Sequence, residues 1–104
     1  MAKKDVWKIF SDECPGVADA YQKLFNEMNF EDALDDKTRA LVLVGINSAT
    51  MDPLSTRFWV RQALRLGASR REVEAAALLA WCKGVSSTEM SIPIIIDAAE
   101  EIGK

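Results

Sequence analysis

Apolar residues recur three and four positions apart along most of the chain, which is the spacing of an amphipathic α-helix. Pro15 suits a first helical turn, and the run 16–28 after it places its apolar side chains at helical intervals. Asp35 and Asp36 can cap a second helix, whose middle, 40–46, is apolar on nearly every face. The pattern predicts two helices here, and the second needs packing partners on all sides.

The second half of the chain carries further start and stop signals for helices. Asp52 followed by Pro53 is typical of a helix start, and Gly67 suits a left-handed C-cap that would end this helix. Ser69–Glu72 reads as a capping box for the next helix, which should stop near Gly84. A second capping box at 86–89 predicts the start of the last helix.

The last segment, 90–102, combines features of a strand and of a helix. Its isoleucines are β-branched and favour a strand, and Pro93 disturbs a helix interior. Ile95, Ala98 and Ile102 nevertheless follow helical spacing, which favours a helix that is kinked or begins late. We therefore predict an all-α bundle of five or six helices. It forms a single domain over 1–104, because a chain of this length buries one core.

Three segments are apolar enough to require burial. They are 40–46, the alanine-rich run 75–80 and the isoleucine-rich last helix. Five or six short helices can enclose one such element but hardly three. We therefore expect a homo-oligomer in which other copies cover the surplus apolar surface, with a tightly packed monomeric bundle as the alternative.

The composition narrows the possible chemistry. The chain has 13 Lys and Arg, 16 Asp and Glu, a net charge of -3 and no histidine, which excludes Ser-His and Cys-His pairs and histidine metal ligands. Cys14 and Cys82 match no zinc or dithiol spacing, and no glycine-rich phosphate loop occurs, so we predict no metal, no cofactor and a reducing cytoplasmic location. The acidic charge argues weakly against nucleic-acid binding, and the uncharged run 40–51 is too short to cross a membrane.

Two stretches carry a family resemblance, RALVLVGINSAT and FWVRQALRLGASRREVEAAALLAWCKGV. From Arg39 to about Ala98 the chain resembles the carboxymuconolactone decarboxylase-like and alkyl hydroperoxidase D-like family. The likeness lies in apolar spacing, a glycine and capping residues. It implies an all-α subunit that assembles into trimers or hexamers, in agreement with the surplus of apolar segments.

The redox branch of that family carries a Glu, a Cys-x-x-Cys pair and a His. On this chain the resemblance puts the Glu position on Ala40, the two thiol positions on Asp52 and Ser55, and the His position on Trp59. Neither Asp nor Ser can form a disulfide, so the dithiol peroxidase mechanism of the family is not expected. The decarboxylase branch keeps the histidine, and an indole cannot transfer a proton at neutral pH. The resemblance therefore implies a degenerate site and leaves open whether the protein is an enzyme.

Asp52, Ser55 and Trp59 are spaced i, i+3, i+7 and share one helix face, which in the family looks into the pocket. In one interpretation the pocket survives, with Asp52 as a base or polar anchor and Trp59 as an apolar wall. In the other, Asp52 is an N-cap, Ser55 an ordinary first-turn residue and Trp59 a core or interface aromatic.

Three arginines and two cysteines offer further candidates. Arg57, Arg61 and Arg65 form a basic stripe that could contact a small-molecule acid, or could equally be solvated or paired across an interface. Cys14, at a helix start, could have a lowered thiol pKa, whereas Cys82 in an apolar helix is interpreted as a buried small hydrophobe.

Three functional hypotheses follow from these features. The first is an oligomeric, helical family member that has lost the dithiol site, and that is a small-molecule-binding or non-redox protein of unassigned role. The second is a lyase that acts on a small carboxylated lactone, with Asp52 and an arginine in place of the usual groups. The third is a divergent thiol peroxidase that uses Cys14 or Cys82.

Overall fold

Most helix boundaries follow the cap signals in the sequence. The structure is a computed structural model that describes residues 5–104, and all regular structure in this range is helical. The predicted all-α fold is confirmed. The elements are α1 (Val6–Glu13), α2 (Pro15–Glu27), a one-turn 3-10 helix (Phe30–Asp32), α3 (Asp36–Ala49), α4 (Pro53–Arg65), α5 (Arg70–Leu78), a second 3-10 turn (Leu79–Trp81) and α6 (Cys82–Glu101).

Side chains satisfy the first backbone N–H groups of α3, α4 and α5. The Asp35 carboxylate accepts a hydrogen bond from the Thr38 backbone N–H at 2.8 Å, and Asp52 accepts one from Ser55 at 3.1 Å. The capping box predicted at Ser69–Glu72 is present in both directions. Gly67 has a φ of 99°, the left-handed conformation that the helix end requires.

The core lies where α3 packs against α4 and α5. Ala40 and Val44 on α3 and Ala63 on α4 have no exposed surface, and Ala68 and Val73 complete the cluster. These side chains are small, so the helix backbones approach closely. A Cβ added to Gly45 of α3 would lie 3.2 Å from the Ala76 carbonyl oxygen of α5.

The start of the last helix was predicted wrongly. One uninterrupted helix, α6, runs from Cys82 through the expected stop at Gly84 and the expected capping box. The hydroxyls of Ser86 and Ser87 donate to carbonyl oxygens one turn earlier instead of capping a new helix. The preceding 3-10 turn leads straight into α6, so no free backbone N–H groups are left at Ser86 for a cap to satisfy. Pro93 lies inside this helix.

Two parts of the chain extend from the core, the α1–α2 pair and α6. Helices α1 and α2 pack on each other and touch the rest of the described chain sparsely, and α6 packs chiefly on the 3-10 turn before it. The radius of gyration is 18.7 Å, whereas a compact domain of this length has one of roughly 13 Å. Neither α6 nor any other helix within residues 5–104 has the length and apolarity of a bilayer span.

Candidate functional site

One face of α4 forms a wall of a cavity of about 510 Å³. Ser55, Phe58, Trp59 and Gln62 lie three, four and seven positions apart, so they project from the same side of the helix. Leu54 lies at the edge of this wall and is exposed. Two of the four positions that the family resemblance singles out, Ser55 and Trp59, thus line the cavity.

Helices α1 and α2 supply the opposite wall. The lining residues on this side come from two short helices that fold back on each other: Val6, Trp7, Phe10, Tyr21, Gln22 and Phe25. The sequence analysis missed the α1 residues because it assigned no helix before Pro15. It missed the α2 residues because it predicted that helix without a packing partner for its aromatic side chains. The available signal was the spacing of the aromatic residues, three apart in α1 and four apart in α2.

Six aromatic rings run in sequence along the cavity. Neighbouring ring centroids are 5.0 to 6.3 Å apart, in the order Phe10, Trp7, Tyr21, Phe25, Trp59, Phe58. The stacked pair Phe25–Trp59, at 5.4 Å, joins the α1–α2 pair to α4. The Arg39 guanidinium lies 4.2 Å from the centroid of the Phe25 ring. These contacts hold the two walls together through aromatic packing.

Asp52 caps α4 at the edge of this site and is not one of the lining residues. Its carboxylate is exposed, and the hydrogen bond from the Ser55 backbone N–H lowers its pKa below the usual 3.8. A carboxylate whose charged form is stabilised in this way is a weak general base. Asp52 therefore serves as the N-cap of α4.

The remaining predicted positions do not line the cavity. Ala40 is fully buried in the core between α3 and α4. Arg57 is exposed and Arg61 is partly buried, and neither lines the cavity. The Nε of Arg61 is buried and has no hydrogen-bond partner among the described residues.

Neither cysteine lines the cavity. Cys14 connects α1 and α2, and Cys82 is the first residue of α6. Both thiols are free. Cys82 is exposed, so the interpretation of its side chain as a buried small hydrophobe is wrong. Because α6 leaves the core at this residue, no neighbouring helix covers it.

The model of the carboxymuconolactone decarboxylase family matches residues 15–89. This chain belongs to that family. The family resemblance seen in the sequence is therefore confirmed. The match includes α2 to α5 and the first part of α6, whereas Trp7 and Phe10 of α1 and the isoleucine-rich part of α6 lie outside it.

A solved structure has a similar fold. The crystal structure of a protein from Methanobacterium thermoautotrophicum superimposes with a TM-score of 0.68 and 24% sequence identity. The similarity covers 83% of this chain and 97% of that chain. This structural similarity supports the helical fold described above for this chain. A search of curated proteins finds no match to this chain.

Proposed function

We propose that this member of the carboxymuconolactone decarboxylase family is a non-redox, homo-oligomeric protein that binds a small molecule in the aromatic cavity. One observation carries the proposal. The helix face that the resemblance assigns to the family pocket, with Ser55 and Trp59, lines an aromatic cavity to which no thiol contributes. A volume of about 510 Å³ is in the range of small-molecule sites.

The placement of the ionisable groups supports binding over catalysis. A lyase with Asp52 as base needs a carboxylate that points at the substrate and accepts a proton near neutral pH. Asp52 instead accepts a hydrogen bond from the backbone, and its pKa is lowered. A thiol peroxidase needs a thiol in the pocket, and neither Cys14 nor Cys82 lines it. The two free thiols also support the proposed reducing, cytoplasmic location.

The exposed apolar surface supports self-association. The chain exposes 8321 Å², whereas a compact chain of 11.5 kDa exposes roughly 5800 Å². The difference exceeds the area that a standard stable interface buries. We define the α6 stripe as the apolar residues at helical spacing on the C-terminal half of α6 and its C-cap: Ile92, Ile95, Ile96, Ala99 and the C-cap Ile102. The four isoleucines of the stripe are exposed by 53 to 70%.

A second apolar surface complements this stripe. A groove of about 450 Å³ lies between α3, α5 and the start of α6, and is lined by Leu41, Val42, Ile46, Leu79 and other residues of small or apolar type. Lys83 lies at this groove, and Glu100 borders the stripe, about 40° around the helix axis from Ile96. The opposite charges favour seating the α6 stripe of one copy in the groove of another. The family resemblance implies a trimer or hexamer, and we propose an assembly of that kind.

Ligand-observed NMR with a fragment library that includes neutral, anionic and cationic compounds tests the binding proposal. We expect fragments that bind the wild-type protein to lose most of their signal change in Trp59→Ala. The matched control is Trp81→Ala, because Trp81 is 82% exposed and lies outside the cavity. If Trp59→Ala loses helix content by circular dichroism, Leu54→Ala probes the same wall at an exposed position.

Several results would contradict the proposal. One is a library without a single binder, and another is binding that both cavity variants leave unchanged. Consumption of an organic hydroperoxide with a dithiol reductant, lost in Cys14→Ser or Cys82→Ser, would support the peroxidase hypothesis instead. Turnover of a carboxylated lactone that is lost in Asp52→Asn would support the lyase hypothesis.

A further inference from the structure

Among the described residues, those that line the aromatic cavity carry no carboxylate, ammonium or guanidinium group. The polar lining groups are Ser55, the amides of Gln22 and Gln62, the Tyr21 hydroxyl and the indole N–H groups of the two tryptophans. Within residues 5–104, no Asp, Glu, Lys or Arg lines the cavity. An ionised ligand that enters such a site loses part of its hydration without gaining a countercharge, and this loss is unfavourable. The lining therefore selects against ligands that carry a charge.

Two charged groups that contact lining residues lie outside the lining itself. The Arg39 guanidinium lies against the Phe25 ring and also pairs with Asp36 at 3.8 Å, which partly neutralises its charge. The Asp52 carboxylate accepts the Ser55 backbone N–H at the start of α4, and neither group supplies a countercharge inside the cavity. The aromatic rings could attract a quaternary ammonium group through their faces, but the guanidinium occupies that role at Phe25.

The side-chain amides of Gln22 and Gln62 can form hydrogen bonds with a polar group on the ligand. The Nε2 of Gln22 donates to the Asn26 side-chain oxygen at 3.2 Å, which leaves the Gln22 carbonyl oxygen available. The side chain of Gln62, on the opposite wall, makes no hydrogen bond within residues 5–104. A hydroxyl group can donate to either amide oxygen, and a carbonyl group can accept from Gln62.

We propose that the cavity takes an uncharged, planar aromatic molecule that carries a hydroxyl or carbonyl group. This inference rests on the proposed small-molecule function and narrows its ligand class. Flat rings stack on the aromatic walls, while the polar group pairs with Gln22 or Gln62. It also replaces the small-molecule acid that the arginine stripe suggested, because Arg57 and Arg61 do not line the cavity.

Equilibrium dialysis against the full-length protein at pH 7 tests the ligand class. The probes are 2-naphthol, 2-naphthoate and trimethyl(2-naphthyl)ammonium, which share a fused ring pair and differ in charge, together with naphthalene. We expect 2-naphthol to bind at least about tenfold more tightly than either ion. Equal or tighter binding of an ion would overturn the ligand class and leave the cavity as a binding site. Failure of all four probes to bind would overturn the proposed function as well.

A second comparison tests the hydrogen bond. Gln62→Leu keeps the size of the side chain and removes its amide, so we expect the affinity for 2-naphthol to fall about tenfold and that for naphthalene to stay unchanged. The control is Thr56→Val, on α4 but outside the lining, which should change neither affinity. An equal loss for both probes in Gln62→Leu would mean that the amide only shapes the wall, and would overturn its assigned role.

Discussion

The α3–α5 core and helix α6 are both rich in apolar side chains, yet only the core buries them. Val44 of α3 has no exposed surface, whereas Ile95 of α6 is 60% exposed. The helices of the core begin with side-chain caps, and α6 begins with none. Local sequence produces a helix in both regions. Burial, however, requires a complementary surface. Within one subunit, α4 and α5 provide such a surface for α3, and no helix provides one for the isoleucines of α6.

The largest expected effect is on assembly. Ile95→Glu places a charge in the middle of the α6 stripe, where a covering copy would have to desolvate it. We expect the oligomer to dissociate to the 11.5 kDa subunit, as measured by size-exclusion chromatography with light scattering. The control is Ser86→Glu, because nine residues at 100° each place position 86 on the side of α6 opposite to Ile95.

Two results would show that α6 is not an interface. One is a wild-type protein that already elutes as a single subunit at micromolar concentration. The other is an Ile95→Glu variant with the same mass as the wild type. In either case the contrast between the core and α6 would reflect a helix that tolerates exposure of its isoleucines.

Local signals predicted the helices of the core well because each signal acts within one turn of the chain. The Asp35, Asp52 and Ser69 caps, and the left-handed Gly67, all form where the sequence indicates. The prediction failed at Ser86, where the same residue types lie inside α6 and bond to preceding carbonyl oxygens. Whether a serine caps a helix depends on whether the backbone before it is free, and the capping residues alone do not specify this.

The candidate site was predictable on one wall only. The spacing of Ser55 and Trp59 indicated their shared face on α4 without any knowledge of tertiary structure. The opposite wall depends on how the α1–α2 pair folds back. This fold places the ring centroids of Trp7 and Tyr21 5.7 Å apart and stacks the Phe25 ring on Trp59. Such contacts join different helices, and the periodicity within one helix carries no information about them.

A smaller effect is expected on the stability of the subunit when either of two helical glycines, Gly84 or Gly45, is replaced by alanine. In α6, a Cβ added at Gly84 meets nothing within 4 Å, so Gly84→Ala should stabilise the subunit by up to about 1 kcal/mol through helix propensity. In α3, the Cβ of Gly45→Ala would lie 3.2 Å from the Ala76 carbonyl oxygen, and this crowding should cancel the gain. Chemical denaturation at several protein concentrations measures both. A loss of stability in Gly84→Ala would place a partner copy against that position.

The smallest effect is the response of stability to acid, which should act through the capped helices of the core. Backbone hydrogen bonds lower the pKa of Asp35, Asp52 and Glu72 from their ordinary values of 3.8, 3.8 and 4.5. A lowered carboxyl pKa adds stability that is fully present above the ordinary value and is lost as the pH falls through the folded value. The melting temperature should therefore decline between about pH 5 and pH 3.

Two variants test this cause of the decline. Asp52→Asn keeps a capping oxygen but does not titrate, so its melting temperature should fall less steeply with pH. Asp19→Asn, exposed on α2 and not a cap, should match the wild type. Equal slopes in both variants would mean that the caps do not set the acid response and that other carboxylates do.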